Sequence, residues 1–151
     1  LFRDSCREVL EAEGLAAQLD ERLVDVAALQ LVQSPEAFDL IVTSNLFGDI
    51  LSDLACHWSG GLGLAPSLNW GSGLALAEPV HGSAPDIVGS GRANPLAAIL
   101  SAALLLRYQW QEGVLATRIE DAVQAFLMEE GRCDFGTETT RVVTQGVLAL
   151  L

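Results

Sequence analysis

The chain has 151 residues, half of them hydrophobic, and a formal net charge of −12. The length suits one ordinary domain with ample apolar material for a core. The charge argues against a nucleic-acid partner, whose phosphates attract basic side chains. We expect no membrane span and no secretory leader, because the longest apolar stretch, Leu96 to Leu106, is too short to cross a bilayer and no leader pattern opens the sequence.

The first predicted element is a helix that begins near Phe2 and ends at Gly14. Its apolar residues between Phe2 and Leu10 recur at helical spacing. Because no capping residue precedes it, we expect the sequence to be part of a longer chain. The apolar run from Val24 to Val32 predicts a second, short helix. Ser34-Pro35-Glu36 is typical of a helix start, with a capping side chain followed by proline.

The middle of the chain predicts two strands with irregular segments between them. The β-branched run from Phe38 to Thr43 predicts a buried strand, and Asn45 to Asp53 predicts a helix after it. Gly60 to Gly73 contains five glycines and a proline, which indicates a loop or a hinge. Leu74 to Ala77 predicts a second strand. Glu78 to Asn94 predicts no regular element. It is rich in Gly, Pro, Ser and Asp, but the choice of residues is too ordered for a linker.

The last third is predicted to be helical. Pro95 begins an apolar helix that extends to about Trp110 and is buried on most sides. An amphipathic helix is predicted from Thr117 to Glu129 and a final helix from Arg141 to Leu151, with a loop from Gly131 to Thr140 between them. The alternation of strands and helices favours an α/β fold class. The apolar stripe of the amphipathic helix comprises Ile119, Ala122, Val123, Phe126 and Leu127.

Cysteine and lysine usage restricts the possible chemistry. Cys6, Cys56 and Cys133 are an odd number without paired or metal-ligand spacing, which favours buried thiols in a reducing cytoplasm. We do not expect Cys56 and His57 to form a nucleophile pair, because adjacent side chains on a helix point apart. All eight basic residues are arginines. Any mechanism that needs a catalytic lysine must therefore take it from outside this sequence.

Three glycine pairs invite comparison with the dinucleotide-binding fingerprint of Rossmann folds. Each pair lacks the third glycine, and none joins a strand directly to a helix. We therefore expect no Rossmann nucleotide site. The three pairs are Gly61-Leu62-Gly63, Gly71-Ser72-Gly73 and Gly89-Ser90-Gly91.

Two segments carry candidate chemistry. Asp49 and Asp53 are four residues apart, so a helix places both carboxylates on one face, where they repel unless a hard cation such as Mg²⁺ relieves them. The alternative is a solvated acidic face. Glu78 to Ile87 combines turns and small residues, which let backbone N–H groups approach a phosphate, with Asp86, whose carboxylate can accept hydrogen bonds from a ribose. The alternative is a plain surface loop.

The same segments resemble the isocitrate/3-isopropylmalate dehydrogenase family. Asn45 to Asp53 is similar to the metal-site signature of that family, and Gly60 to Ser67, Glu78 to Ile87 and Ala93-Asn94-Pro95 follow in matching order and spacing. The resemblance covers essentially the whole chain. It implies an α/β, isocitrate/isopropylmalate dehydrogenase-like fold with a non-Rossmann nucleotide site, of which this chain is the C-terminal portion.

The resemblance assigns roles to individual residues. Asp49 and Asp53 would bind Mg²⁺ or Mn²⁺, and Asp25 would complete the metal site of a partner subunit in a homodimer with shared active sites. The loop from His81 to Asp86 would bind the diphosphate and ribose, and Asn94 the adenine. The acidic Asp86, followed by Ile87, points to NAD rather than NADP. The full set of cofactor-binding residues is Glu78, His81, Gly82, Ser83, Ala84, Asp86, Ile87 and Asn94.

The implied activity is the oxidation and decarboxylation of a 3-carboxy-2-hydroxy acid, with hydride transfer to NAD. The substrate would be isocitrate, homoisocitrate or 3-isopropylmalate, or alternatively a tartrate- or malate-type acid. Gly60 to Ser67 leans towards isocitrate-type members. The lysine and tyrosine that move protons in this family precede the region present here, so no catalytic residue is assigned to this chain.

The resemblance also implies pieces of two domains where length alone suggested one. Residues 1–59 would end the smaller, dimer-forming domain, and residues 60–151 would form the second half of the larger NAD-binding α/β domain. A regulatory subunit without activity and an inactive truncated product are the alternatives. Retention of Asp25, Asp49, Asp53 and Asp86 argues against the regulatory subunit. Arg132 to Thr137 departs from the family pattern because it lacks paired glycines.

Overall fold

The computed structural model describes residues 1–15, 19–129 and 139–151. This part of the chain divides into two compact units, residues 1–54 and residues 55–151. The first unit is helical, and the second combines a two-stranded sheet with helices. The assignment of residues 1–59 to a dimer-forming domain and of residues 60–151 to an NAD-binding domain stays a prediction.

Three of the helices predicted for the first unit are confirmed. Helix α1 covers Phe2–Ala12, α2 covers Val24–Gln33 and α3 covers Asn45–Ala55. Gly14 follows α1 in the left-handed conformation, at φ +63°, which glycine adopts without steric cost. The apolar stripe of α1 is only partly covered, because none of its residues is buried.

Two predictions for residues 34–43 are wrong. The helix start at Ser34 produces only a single 3-10 turn, Pro35–Ala37. The segment from Phe38 to Thr43 forms no strand, because a strand needs a neighbour for its backbone groups and no described residue pairs with it. Leu40 and Val42 are 81% and 57% exposed, so the predicted burial is absent as well.

The second unit contains a hairpin of which only the second strand was predicted from the sequence. Strand β1, Pro66–Trp70, pairs antiparallel with β2, Ala75–Pro79. The strand predicted at Leu74 to Ala77 is thus confirmed with shifted ends. The loop predicted from Gly60 to Gly73 is wrong over β1, because cross-strand pairing overrides the glycine-rich composition around it.

Helix α4 covers Leu96–Leu104 and packs against α5 and both strands. The predicted helix continues as far as Gln109, but its last turn, Leu105–Gln109, is a π-helix. Leu96, Ala97 and Ala103 are fully buried, which confirms that this helix is covered on most sides.

Helices α5, Gly113–Glu129, and α6, Thr140–Leu150, complete the unit. Helix α5 begins one turn earlier than predicted, and its predicted stripe packs inward. Gly146 allows α6 to approach α5, since a methyl group there would overlap the Phe126 ring. The core cluster is formed by Leu64, Leu96, Ala122, Val123, Phe126, Val143 and Val147.

The remaining predictions concern membrane spans, thiols and the last loop. Within the described ranges, no helix is long and apolar enough to cross a membrane. Cys56 is buried and Cys6 is partly buried. Cys133 and residues 131–138 of the predicted loop from Gly131 to Thr140 lie outside the described residues.

Candidate metal and nucleotide sites

Helix α3 presents the two carboxylates predicted to bind metal. Asp49 and Asp53 are one turn apart, which brings their β-carbons to about 5–6 Å from each other. Leu51, which is 5% exposed, lies two residues from each of them. Two residues correspond to about 200° around a helix, so burial of Leu51 turns both aspartates outward. Both side chains are accordingly exposed.

The chemistry of this pair suits a hard divalent cation. Carboxylate oxygens are the ligands that Mg²⁺ prefers, and one or two carboxylates with water or substrate oxygens complete its coordination. Asp49 and Asp53 form no salt bridge with any described arginine, so their charges remain for a cation. Asp49 accepts a hydrogen bond from Nδ2 of Asn45 at 3.1 Å, a neutral donor that leaves its charge in place.

Asp25 lies in the first turn of α2 and is exposed. Its Oδ1 accepts a hydrogen bond from the backbone N–H of Val26 at 2.9 Å. In the described part of the chain, no three or more His, Cys, Asp or Glu side chains are close enough to hold a metal ion. Asp25 therefore does not join Asp49 and Asp53 within one chain, and its predicted service to a partner subunit stays a prediction.

Strand β2 leads directly into the predicted nucleotide loop. Glu78 lies opposite Ser67 in the hairpin, with its side chain exposed. The backbone N–H of Val80 donates to the carbonyl of Ala65 at 3.0 Å, which fixes the exit from the strand. The ring nitrogen Nδ1 of His81 lies 3.0 Å from the carbonyl oxygen of Gly82, the next residue in the loop.

Ala84 gives the loop its sharpest bend. Its backbone is left-handed, with φ +43° and ψ +62°, a conformation that costs an L-residue energy and that clusters at functional sites. The 3-10 turn Pro85–Ile87 follows, and the N–H of Ile87 donates to the carbonyl of Ala84 at 3.1 Å. Gly82, Ser83 and Asp86 are exposed, so the loop offers small residues and one carboxylate to a ligand.

The far end of the loop is tied to α4 and α6. Thr140, the first residue of α6, donates from its backbone N–H to the carbonyl of Gly91 at 2.7 Å and from its hydroxyl to the carbonyl of Ala93. Asn94 accepts from the N–H of Leu96 at 3.0 Å through Oδ1, which caps the start of α4. The structure thus gives Asn94 a capping role beside the predicted adenine contact, which stays a prediction.

The predicted site residues fall into two sets. The metal aspartates belong to residues 1–54, whereas the eight cofactor residues belong to residues 55–151. Two residues that contact the candidate sites were not predicted from the sequence. Asn45 donates a hydrogen bond to Asp49, and Thr140 donates to the carbonyl of Ala93 at the end of the loop. The four-residue spacing of Asn45 and Asp49 is a signal that could have revealed the first. Nothing local in the sequence indicates that Thr140 contacts residues near position 92.

Residues 1–150 match the isocitrate/isopropylmalate dehydrogenase family. The chain belongs to this family. An isocitrate/homoisocitrate dehydrogenase from Thermus thermophilus is 51% identical over 153 residues, which cover all of this chain and 45% of that protein. A 3-isopropylmalate dehydrogenase from Thermosynechococcus vestitus is 50% identical over 97% of this chain and 39% of its own length. This chain thus spans less than half the length of these relatives.

Solved structures confirm the predicted fold class of this family member. An isocitrate dehydrogenase from Methylococcus capsulatus superimposes with a TM-score of 0.86 at 42% identity, over 99% of this chain and 45% of that one. The apo form of a β-decarboxylating dehydrogenase from Thermococcus kodakarensis gives a TM-score of 0.80 at 41% identity, over 99% and 44% of the two chains. The relatives named above are dehydrogenases, so the family to which this chain belongs is one of oxidoreductases.

Proposed function

We propose that the protein containing this chain is an NAD-dependent, divalent-metal-dependent dehydrogenase that oxidises and decarboxylates a 3-carboxy-2-hydroxy acid. Isocitrate, homoisocitrate and 3-isopropylmalate are the proposed substrates, in agreement with the names of the two relatives. The observation that carries this proposal is the outward-facing carboxylate pair Asp49 and Asp53 on α3, free of salt bridges to the described arginines.

Asp49 and Asp53 would hold Mg²⁺ or Mn²⁺ together with oxygens of the substrate. A divalent cation held there would supply Lewis-acid chemistry at the oxygens of the substrate. Because both aspartates lie on a helix anchored by the buried Leu51, the helix fixes the spacing of their backbone positions before substrate arrives.

The loop from His81 to Asp86 would bind NAD, which would supply the hydride acceptor of the reaction. Gly82, Ser83 and Ala84 lack bulky side chains, so backbone N–H groups can approach the diphosphate closely. The carboxylate of Asp86 can accept hydrogen bonds from both ribose hydroxyls, and it would repel a 2′-phosphate. These two properties favour NAD over NADP.

We propose that the groups that transfer protons come from outside this chain. The sequence has no lysine, and its single tyrosine, Tyr108, lies in the π-helical turn after α4, beside the ring of Trp70. The acid–base lysine and tyrosine are therefore assigned to the preceding part of the complete protein. We propose further that the enzyme is a cytoplasmic homodimer in which Asp25 completes the metal site of the partner subunit.

Metal titration of the complete enzyme tests this function. Asp49→Asn and Asp53→Asn each remove one charged ligand, so both should abolish turnover and weaken Mg²⁺ or Mn²⁺ binding. Asp121→Asn, an exposed aspartate on α5, is the matched control and should change neither quantity. Unchanged metal affinity in both α3 variants would reduce the pair to a solvated acidic face.

A further inference from the structure

Asn45 is the first residue of α3, and its Nδ2 donates to Oδ2 of Asp49 at 3.1 Å. One helical turn separates the two residues, the spacing at which amide and carboxylate side chains meet on a helix surface. We propose that Asn45 is a positioning residue of the metal centre: its amide fixes the carboxylate of Asp49 before a divalent cation binds. This inference rests on the proposed function and names a contributor to the same site.

The reason for such a role lies in the exposure of the site. Asn45 and Asp49 are both exposed, so neighbouring atoms do little to restrict the rotation of the carboxylate. Ordering a mobile side chain on binding costs free energy, and a hydrogen bond made beforehand reduces that cost. A carboxylate offers about four lone-pair sites, so one hydrogen bond leaves acceptor capacity for the cation.

The type of donor matters as much as its position. An arginine or lysine at position 45 would pair with Asp49 and compete with the cation for its negative charge. The asparagine amide is neutral, so it orients the carboxylate while the charge remains. Hydrogen-bond partners of metal ligands typically contribute about 10–100-fold to metal affinity or activity, which sets the size of the expected effect.

The same helix offers a matched control. The hydroxyl of Ser52 donates to the backbone carbonyl of Asp49 at 3.1 Å, so Ser52 contacts the same residue without touching its carboxylate. Both Ser52 and Asn45 are exposed. Loss of either hydrogen bond perturbs the helix surface, but only loss of the Asn45 bond releases the carboxylate.

The experiment measures Mn²⁺ binding to the complete enzyme without substrate, from the electron paramagnetic resonance signal of free Mn²⁺. Asn45→Ala should raise the Kd for Mn²⁺ about 10–100-fold, and Asn45→Leu, which keeps the side-chain size, should do the same. Asn45→Gln supplies another amide that can reach an aspartate one turn away, so it should recover part of the affinity. Ser52→Ala should bind as the unaltered enzyme does, and the KM for NAD should be unchanged throughout.

Three results would overturn the proposal. Wild-type Mn²⁺ affinity in Asn45→Ala and Asn45→Leu, with loss of binding in Asp49→Asn, would remove the positioning role and leave the proposed function intact. Equal losses in Ser52→Ala and Asn45→Ala would indicate damage to the helix itself. Unchanged affinity in Asp49→Asn as well would defeat the proposed metal site, and the role of Asn45 with it.

Discussion

The two units of the molecule differ in how much of their apolar surface they bury. Among the described residues of the first unit, 1–15 and 19–54, only Ala27, Leu31 and Leu51 are buried. Residues 55–151 enclose a contiguous core cluster around Leu96 and Phe126, both at most 4% exposed. The candidate metal acids therefore belong to the unit with the smaller core, whereas the nucleotide loop is tied to the unit with the larger one.

Exposed apolar residues of the first unit extend this comparison. Leu29 on α2 is 57% exposed, and Leu46 and Ile50 on α3 are 65% and 49% exposed. Contiguous exposed apolar surface is typical of protein–protein interfaces. We therefore expect the nucleotide loop to be ordered by its own unit and the metal site to depend on assembly of the complete protein.

The largest effect should come from combining two inactive variants of the complete enzyme. Asp25→Asn and Asp49→Asn should each be inactive alone, because each homodimer lacks a ligand at both metal sites. A mixed dimer has one intact site, with Asp25 from one chain and Asp49 from the other. Random mixing of two-fold symmetric dimers should restore about one quarter of the unaltered activity.

Turnover after refolding an equal mixture of the two variants measures this recovery, and differently tagged chains verify that mixed dimers form. An unmixed sample of each variant, refolded in the same way, is the control. If mixed dimers form and the activity stays at background, Asp25 does not act across subunits and the assembly dependence of the metal site is wrong.

The next largest effect concerns stability. Phe126→Ala removes a ring that is 4% exposed and packs beside Gly146, so it should cost about 3–5 kcal/mol of unfolding free energy. Phe47→Ala in the first unit removes a ring that is 42% exposed and should cost clearly less. Urea denaturation followed by circular dichroism compares the two. Equal losses would mean that Phe47 is covered in the assembled protein, which would erase the contrast between the units.

A smaller effect is expected at the nucleotide loop. Asp86→Ala removes a charged acceptor for the ribose, and hydrogen bonds to charged groups contribute about 1.5–3 kcal/mol, so kcat/KM for NAD should fall about 10–100-fold. Efficiency with NADP should fall less or rise, since the repulsion of the 2′-phosphate disappears. Steady-state kinetics with both cofactors provides the measurement. The NAD assignment fails if the unaltered enzyme prefers NADP or if Asp86→Ala uses NAD undiminished.

The smallest effect should follow a change at the bend of the loop. Ala84→Gly relieves a left-handed conformation that costs an L-residue about 1–2 kcal/mol, and the greater flexibility of unfolded glycine offsets about 0.5–1 kcal/mol of this. The net stabilisation should therefore lie between zero and about 1.5 kcal/mol. Ala84→Val, with a β-branched side chain, should destabilise. Thermal unfolding of both variants decides, and a lower midpoint for Ala84→Gly would contradict the strain at this position.

Local signals in the sequence predicted most of the helices and the chemistry of the site. The stripe containing Ala122, Val123 and Phe126 specified α5 because buried residues on a helix repeat every three to four positions. The four-residue interval between Asp49 and Asp53 fixed their common face for the same geometric reason. Family membership, indicated by the segments from Asn45 to Asp53 and from Glu78 to Ile87, is confirmed by the match over residues 1–150.

Strand pairing and the anchoring of the nucleotide loop depend on residues that are distant in sequence, so the sequence alone did not predict them. Strand β1 forms because β2 supplies hydrogen-bond partners, whereas the segment from Phe38 to Thr43 has strand-like composition and no described partner. Thr140 secures the carbonyls of Gly91 and Ala93 across 47 or more positions, which no local pattern encodes. Helical periodicity depends on residues that are close together in the sequence. Strand pairing and loop anchoring depend on whichever distant segments the fold brings together.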